Sequence, residues 1–178
     1  MLGDRIGEHS MEDVKIAEKA KKSSISSMMV KNKALVRQYV DQFNEHNLDK
    51  MEELISPRHS FYLHNMEPLD WNAHKELLSS VYYTAFPDLH IEMIEEDMIA
   101  GHNLISVPLK CSGTFEGEFL GIPPTGEKVT FSALWIQDFD ANDKENGDDI
   151  KLAEEWVFFN QAELLQNLKS VTRLRKTQ

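Results

Sequence analysis

Gly113-Thr-Phe-Glu-Gly-Glu-Phe-Leu-Gly-Ile-Pro-Pro-Thr-Gly-Glu-Lys-Val-Thr-Phe131 is the stretch whose reading decides the fold. Strand-like ends flank a turn built from Gly121, Pro123, Pro124 and Gly126. The proline pair fixes φ and removes two backbone donors, and the glycines permit positive φ. The segment cannot continue a ladder, so it is a shaped connection. Beside a sheet, such an apolar connection is either a pocket rim or a marker of the fold.

On its C-terminal side the pattern is β. Lys128 to Phe139 and Ile150 to Asn160 read as strands around the polar loop Asp140 to Asp149. On its N-terminal side, Leu104 to Phe115 alternates through Ile105, Val107, Leu109 and Cys111. Pro108 inside it implies a bulge or an edge. Leu89 to Ile99 is a further strand candidate, closed by the turn at Ala100 to Asn103.

Upstream of Pro87 the period becomes helical. Leu35, Val36, Tyr39, Val40 and Phe43 share one helix face. Leu48, Met51, Leu54 and Ile55 mark a short second helix that stops before Pro57. Phe61 to His64 reads as a short strand. Asp70 is an N-cap candidate for a third helix carrying Trp71, His74, Leu78, Val81, Tyr82 and Ala85. Residues 161–174 form a closing helical pattern. The order α-α-β-α-β-β-β-β, helices first and strands later, predicts an α+β fold: a curved antiparallel sheet packed on three helices, with a cone-shaped cavity between. Residues 1–30 are expected to be a mobile or helical arm, 31–168 the domain, and 169–178 a basic tail.

Composition bounds the function. The 178 residues suffice for one domain with a core. The net charge is −11, and residues 32–160 hold 24 acidic against nine basic side chains. Such a body repels phosphate backbones, so no nucleic-acid partner is expected. No apolar run approaches the roughly 18 residues of a membrane span. The single cysteine, Cys111, asks for no oxidising compartment. The expected location is cytoplasmic.

Four stretches in order then carry a resemblance. Phe119 to Phe131 resembles the connection before the penultimate strand of SnoaL-like polyketide cyclases and ester cyclases. Tyr39 to Asp49, Ala85 to Leu89, and Glu154-Glu-Trp156 followed by Leu164-Leu-Gln166 resemble that family's first helix end, third-helix exit, and last strand and tail. The resemblance covers roughly residues 32–168 and implies the cone of the nuclear transport factor 2-like superfamily. It implies a small apolar carbonyl compound bound in the cone, intramolecular aldol chemistry driven by an aspartate and a histidine, and no metal or cofactor. Those two roles fall by position on Val157 and Trp135, and neither side chain carries a proton at neutral pH.

Candidate site residues follow. Alternation puts Ala153, Glu155, Val157 and Phe159 on the pocket face of the last strand. Glu155 is the surviving acid–base candidate, with a rim carboxylate or salt-bridge partner as the other reading. His64 is the second catalytic candidate, for orienting a carbonyl or taking a proton, or else a structural histidine. Asn44 is a ligand hydrogen-bonder or a turn cap. Trp135 stacks on a flat ligand or fills the cavity. No metal site is expected, because His59 and His64 lack a ligand spacing and Glu95-Glu-Asp97 reads as a solvated strand end. A catalytic pocket requires roughly a few hundred Å³. Leu152, Trp156 and Phe158 opposite Val157 and Phe159 leave apolar residues on both faces, which predicts a homodimer through the sheet. The competing reading is a non-catalytic ligand-binding or dimerisation module.

Overall fold

A computed structural model describes residues 11–63, 66–140 and 150–175. Helix α1 (Met11–Asn44) is followed by α2 (Leu48–Glu52), β1 (Ile55–Leu63), α3 (Trp71–Leu77) and a π-helical turn over Leu78–Tyr82. Then come α4 (Tyr83–Ala85), β2 (His90–Met93), β3 (Ile99–Ala100), β4 (Leu104–Thr114), β5 (Lys128–Asp140), β6 (Lys151–Phe159) and α5 (Gln161–Arg175). The sheet order is β1-β6-β5-β4-β2, with β3 beside β4; β1 and β6 run parallel and the other pairs antiparallel. The expected α+β architecture is present, with the helices lying over one face of a curved sheet.

The apolar face of α1 is the predicted one. Val36, Tyr39, Val40 and Phe43 are buried against the sheet. The helix runs unbroken from Met11, through the expected arm boundary at residue 30. His46, with φ of 55°, turns the chain into α2. There Asn47 accepts a hydrogen bond from the Lys50 amide as N-cap.

Two elements differ from expectation. Leu54 and Ile55 do not extend α2; the chain has already entered β1, which passes through Pro57. β1 is an edge strand with an irregular register between Ile55 and Ser60, where a missing N–H is tolerated. The expected long strand from Leu89 is cut into β2 and β3 by a 3₁₀ turn at Glu95–Asp97. Pro108 explains the cut. Its carbonyl accepts the Ile94 N–H, so its donorless nitrogen faces the same side, and the ladder there has nothing to pair with. Glu95, Glu96 and Asp97 are exposed as expected, but they form this turn and not a strand end, and Glu95 pairs with Arg37 at 2.6 Å.

The Gly113–Phe131 connection closes one end of the core. Phe115 and Phe119 are buried and pack on Phe86 at ring-centroid distances of 5.5 and 5.4 Å. The N–H groups of Glu116 and Gly117 both donate to the Ala85 carbonyl, ending α4. A Cβ on Gly117 would lie 2.3 Å from the Thr84 carbonyl oxygen, so only glycine permits this approach. Leu120 and Gly121, with φ of 52° and 74°, make the tight turn.

A bulge in β6 changes its alternation. The register with β5 shifts between Asp138 and Phe139, so Phe139 faces Leu152 while Asp138 faces Glu154. Leu152 is therefore turned inward and fully buried, correcting its expected place on the outer face. Ala153 leaves the pocket face and sits beside Arg58, Asp138 and Asp140. The outer face keeps Tyr62 stacked on Trp156 at 5.1 Å, with Phe158 46% exposed. Among the described residues, no helix is long and apolar enough to cross a membrane. The loop after Asp140 lies outside the described residues, as do positions 1–10 and 176–178 of the expected arm and tail.

Candidate functional site

Downstream of its bulge β6 alternates regularly, and Glu155, Val157 and Phe159 point between sheet and helices. β5 contributes Phe131, Ala133 and Trp135, and the registered pair Trp135–Val157 forms part of one wall. Tyr39 and Phe43 of α1 close the opposite side; both rings meet Trp135 edge-on, at 5.6 and 5.8 Å. The third helix supplies His74, and the π turn supplies Leu78 and Tyr82. Such turns widen a helix locally and often accompany functional sites. Asp70 begins this helix as expected, accepting the Ala73 amide at 2.9 Å.

The cavity, open on one side, measures about 70 Å³, below the few hundred Å³ expected of a catalytic pocket. Aromatic side chains from α1, β5 and β6 occupy much of the space, so Trp135 both narrows the cavity and walls it. The lining is largely apolar, with its fully buried polar side chains grouped together. These are Glu155, His74 and Tyr39, while Tyr82, Phe131, Ala133, Val157 and Phe159 are half-buried towards the mouth.

Glu155 is 1% exposed, and the Tyr39 hydroxyl donates to its Oε2 at 3.0 Å. Burial pushes its carboxyl up to about 8; the hydrogen bond from Tyr39 and the nearby Gln137 amide hold it lower than burial alone would. The Tyr39 hydroxyl is in turn held well above its ordinary value, by burial and then by the carboxylate it faces. Glu155 is thus neither a rim carboxylate nor a salt-bridge partner.

Two histidines complete this group. His59 of β1 and His74 of α3 are 4% and 2% exposed. One nitrogen from each and a Glu155 oxygen all lie within 4.8 Å of one another. Among the described residues, neither nitrogen of His59 nor Nδ1 of His74 has a well-formed hydrogen bond. His74 stacks on Phe61 at 3.7 Å and lies 5.8 Å from His59. Burial lowers His74 to about 3, and His59 adds to the shift. Burial lowers His59 to about 4, with the Leu152 carbonyl and Asp70 opposing. Both imidazoles are neutral at physiological pH.

Two histidines and a carboxylate are also a donor set for a divalent transition metal. Ligation would need the donors drawn to about 3 Å apart and the outer imidazole nitrogens held by acceptors. The Leu152 carbonyl stands beside His59 without a well-formed hydrogen bond, and Nδ1 of His74 has no well-formed partner among the described residues, so the imidazoles are not held as a metal centre requires.

Of the candidates named from sequence, Glu155, Trp135, Val157 and Phe159 come together around the cavity. Asn44 does not join them. Its amide donates to the Ile91 carbonyl at 2.9 Å and accepts the Ile91 N–H at 2.8 Å, tying α1 to β2. His64 lies outside the described residues. His59, His74 and Tyr39 were not singled out by sequence reading for this site. The available signal was a histidine on the apolar stripe of Trp71 and Leu78, and a second alternating inward with Phe61.

The SnoaL-like polyketide cyclase family model matches residues 33–168. No curated protein sequence matches this chain. Among solved structures, AclR from Streptomyces galilaeus is 25% identical, with a TM-score of 0.67 over 80% of this chain and 83% of that one. IdmH from Streptomyces antibioticus is 20% identical, with a TM-score of 0.65 over 78% and 98%. A SnoaL-like polyketide cyclase from Agrobacterium tumefaciens is 18% identical, with a TM-score of 0.61 over 77% and 97%. The family match spans most of the sequence, and the neighbours share its fold. The chain therefore belongs to the SnoaL-like polyketide cyclase family.

Proposed function

We propose that this protein binds a small apolar carbonyl compound in the cone and moves a proton on it through Glu155, as an isomerase or cyclase. The observation that carries the reading is a fully buried carboxyl, pushed up to about 8 by burial, beside His74 and Tyr39 in a largely apolar cavity. A general acid–base group works best when its pKa lies near the working pH. In its ionised form Glu155 takes a proton from the carbon beside the carbonyl. In its acid form it returns a proton to another carbon, or to the oxygen formed when the enolate attacks a second carbonyl. Tyr39 orients the carboxyl through its hydroxyl.

This role is displaced from the family's positions. Trp135 and Val157 stand where the histidine and aspartate are expected, and both are walls here. Glu155 sits two residues before Val157, on the same face. The test is α-proton exchange of small ketones in D2O, followed by NMR. Wild type is expected to accelerate exchange, and Glu155→Gln to lose the acceleration. Binding without acceleration in wild type would favour the second reading, a ligand carrier, which the two replaced positions support.

A further inference from the structure

We infer that His74 is a further catalytic residue, whose neutral imidazole donates a hydrogen bond to the carbonyl oxygen of an uncharged ligand that enters carbonyl-first. The inference rests on the acid–base reading of Glu155 and adds the ligand's class, its orientation and the group that stabilises the developing oxyanion.

The geometry gives the orientation. Glu155, His74 and Tyr39 are the fully buried polar side chains of the lining, and half-buried Tyr82, Phe131, Ala133, Val157 and Phe159 lie towards the mouth, where, among the described residues, the Tyr82 hydroxyl is the one polar group. A ligand entering with its apolar body first would leave the fully buried polar atoms unpaired, which is costly. The whole cavity, mouth included, measures about 70 Å³, so it admits an acyl-sized group, and any wider apolar body must rest outside it against the mouth aromatics. Among the described residues, no lysine or arginine lines the cavity, so a carboxylate or phosphate would be buried there without a counter-charge from them. The ligand is therefore neutral.

The histidine pair supplies the donor. His74 lines the cavity, is clamped face-on by Phe61, and has His59 within reach on its other side. An imidazole so placed keeps its ring orientation without a hydrogen-bonded partner. Nδ1 of His74 and both nitrogens of His59 await one, which is unusual for polar groups this deeply buried. When Glu155 removes the α-proton, the C–H pair becomes the C=C bond and the carbonyl π pair moves to oxygen. A neutral N–H stabilises that oxygen without surrendering its proton, as a neutral catalytic histidine does in other enolising enzymes. His59 acts through His74 and is a positioning residue.

The experiment uses acetophenone labelled with 13C at the carbonyl, with benzoate as its anionic counterpart. Wild type, His74→Phe and Glu155→Gln are compared for binding, bound carbonyl shift and α-proton exchange. Wild type is expected to bind acetophenone and not benzoate. The bound carbonyl resonance should lie downfield of that in His74→Phe, where phenylalanine keeps the stack on Phe61 and loses the donor. Exchange should fall about 100-fold in His74→Phe. If that variant does not fold, His74→Leu gives the same comparison. Equal shifts and equal exchange in wild type and variant overturn the role of His74. Equal binding of benzoate, or no binding of acetophenone, overturns the ligand class. If Glu155→Gln leaves exchange unchanged, the acid–base reading itself fails; if it abolishes exchange while His74→Phe does not, this inference alone fails. Stoichiometric zinc or iron in purified wild type, lost in His59→Ala, would also overturn it, because the imidazole lone pairs would then be ligands.

Discussion

The Tyr39 hydroxyl lies 3.0 Å from Oε2 of Glu155, joining the first helix to the last strand across 116 residues of sequence. Both groups are fully buried, and each sets the proton affinity of the other. In Tyr39→Phe the carboxyl loses a hydrogen bond that favours its charged form. Its pKa is expected to rise further above about 8, at a stability cost of about 1 kcal/mol. A 13C titration of the Glu155 carboxyl reads the first effect and urea unfolding the second. An unmoved or lowered titration would contradict the pairing.

Stability should peak near pH 6.5. His59 and His74 are lowered from 6.5 to about 4 and about 3, so the unfolded chain binds more protons over that range. Their contribution is present above 6.5 and lost as pH falls through the folded values. Glu155 acts in the opposite sense. Its pKa is raised from 4.5 to about 8, so its contribution is present at low pH and lost as pH rises through about 8. Between 4.5 and 6.5 two histidines oppose one carboxyl and stability climbs; above 6.5 only the carboxyl remains and stability declines. Denaturant midpoints from pH 5 to 8 test this, below the range where the buried Cys111 thiol, raised from 9.0 to about 12, adds its own decline, and Glu155→Gln should abolish the decline between 6.5 and 8. A decline that persists in that variant would assign it to another group.

His59 carries two buried nitrogens without well-formed partners. His59→Leu is expected to stabilise the ligand-free protein by about 1–2 kcal/mol while lowering turnover, since it removes unpaired polar atoms from the core. Thermal unfolding in the absence of ligand measures this. A lowered melting temperature would mean that solvent already satisfies the imidazole.

Gly117→Ala should cost about 1–3 kcal/mol, because the added methyl meets a backbone oxygen that cannot move without shifting α4. Equilibrium urea unfolding gives the number. A neutral substitution would show that the connection and α4 are less tightly joined than their shared hydrogen bonds indicate.

Much of this fold is legible along the chain, for reasons that are local. The α1 stripe follows from a period of 3.6, and the β4 and β5 cores from a period of 2. The Asp70 cap and the Gly121 turn follow from the chemistry of single residues. Where reading failed, the cause was non-local. Pro57 looked like the end of a helix because nothing in sequence says that its strand lies on an edge. The strand after Leu89 looked continuous because the proline that interrupts it, Pro108, sits on the neighbouring strand.

The candidate site divides the same way. The sequence by itself determined that Glu155, Val157 and Phe159 share a face, since alternation needs only the backbone pleat. The family resemblance adds the expectation that Trp135 and Val157 stand where the family carries its histidine and aspartate. Only the tertiary structure decided that Glu155 is buried rather than at a rim, and that Tyr39, His59 and His74 are its neighbours. Burial and proximity depend on how four separate elements pack, and a bulge at Ala153 re-aims part of the strand on the way. The proton affinity of Glu155 is set by that packing, through desolvation and the opposing Tyr39 hydroxyl and Gln137 amide, and not by any residue adjacent to it in the chain.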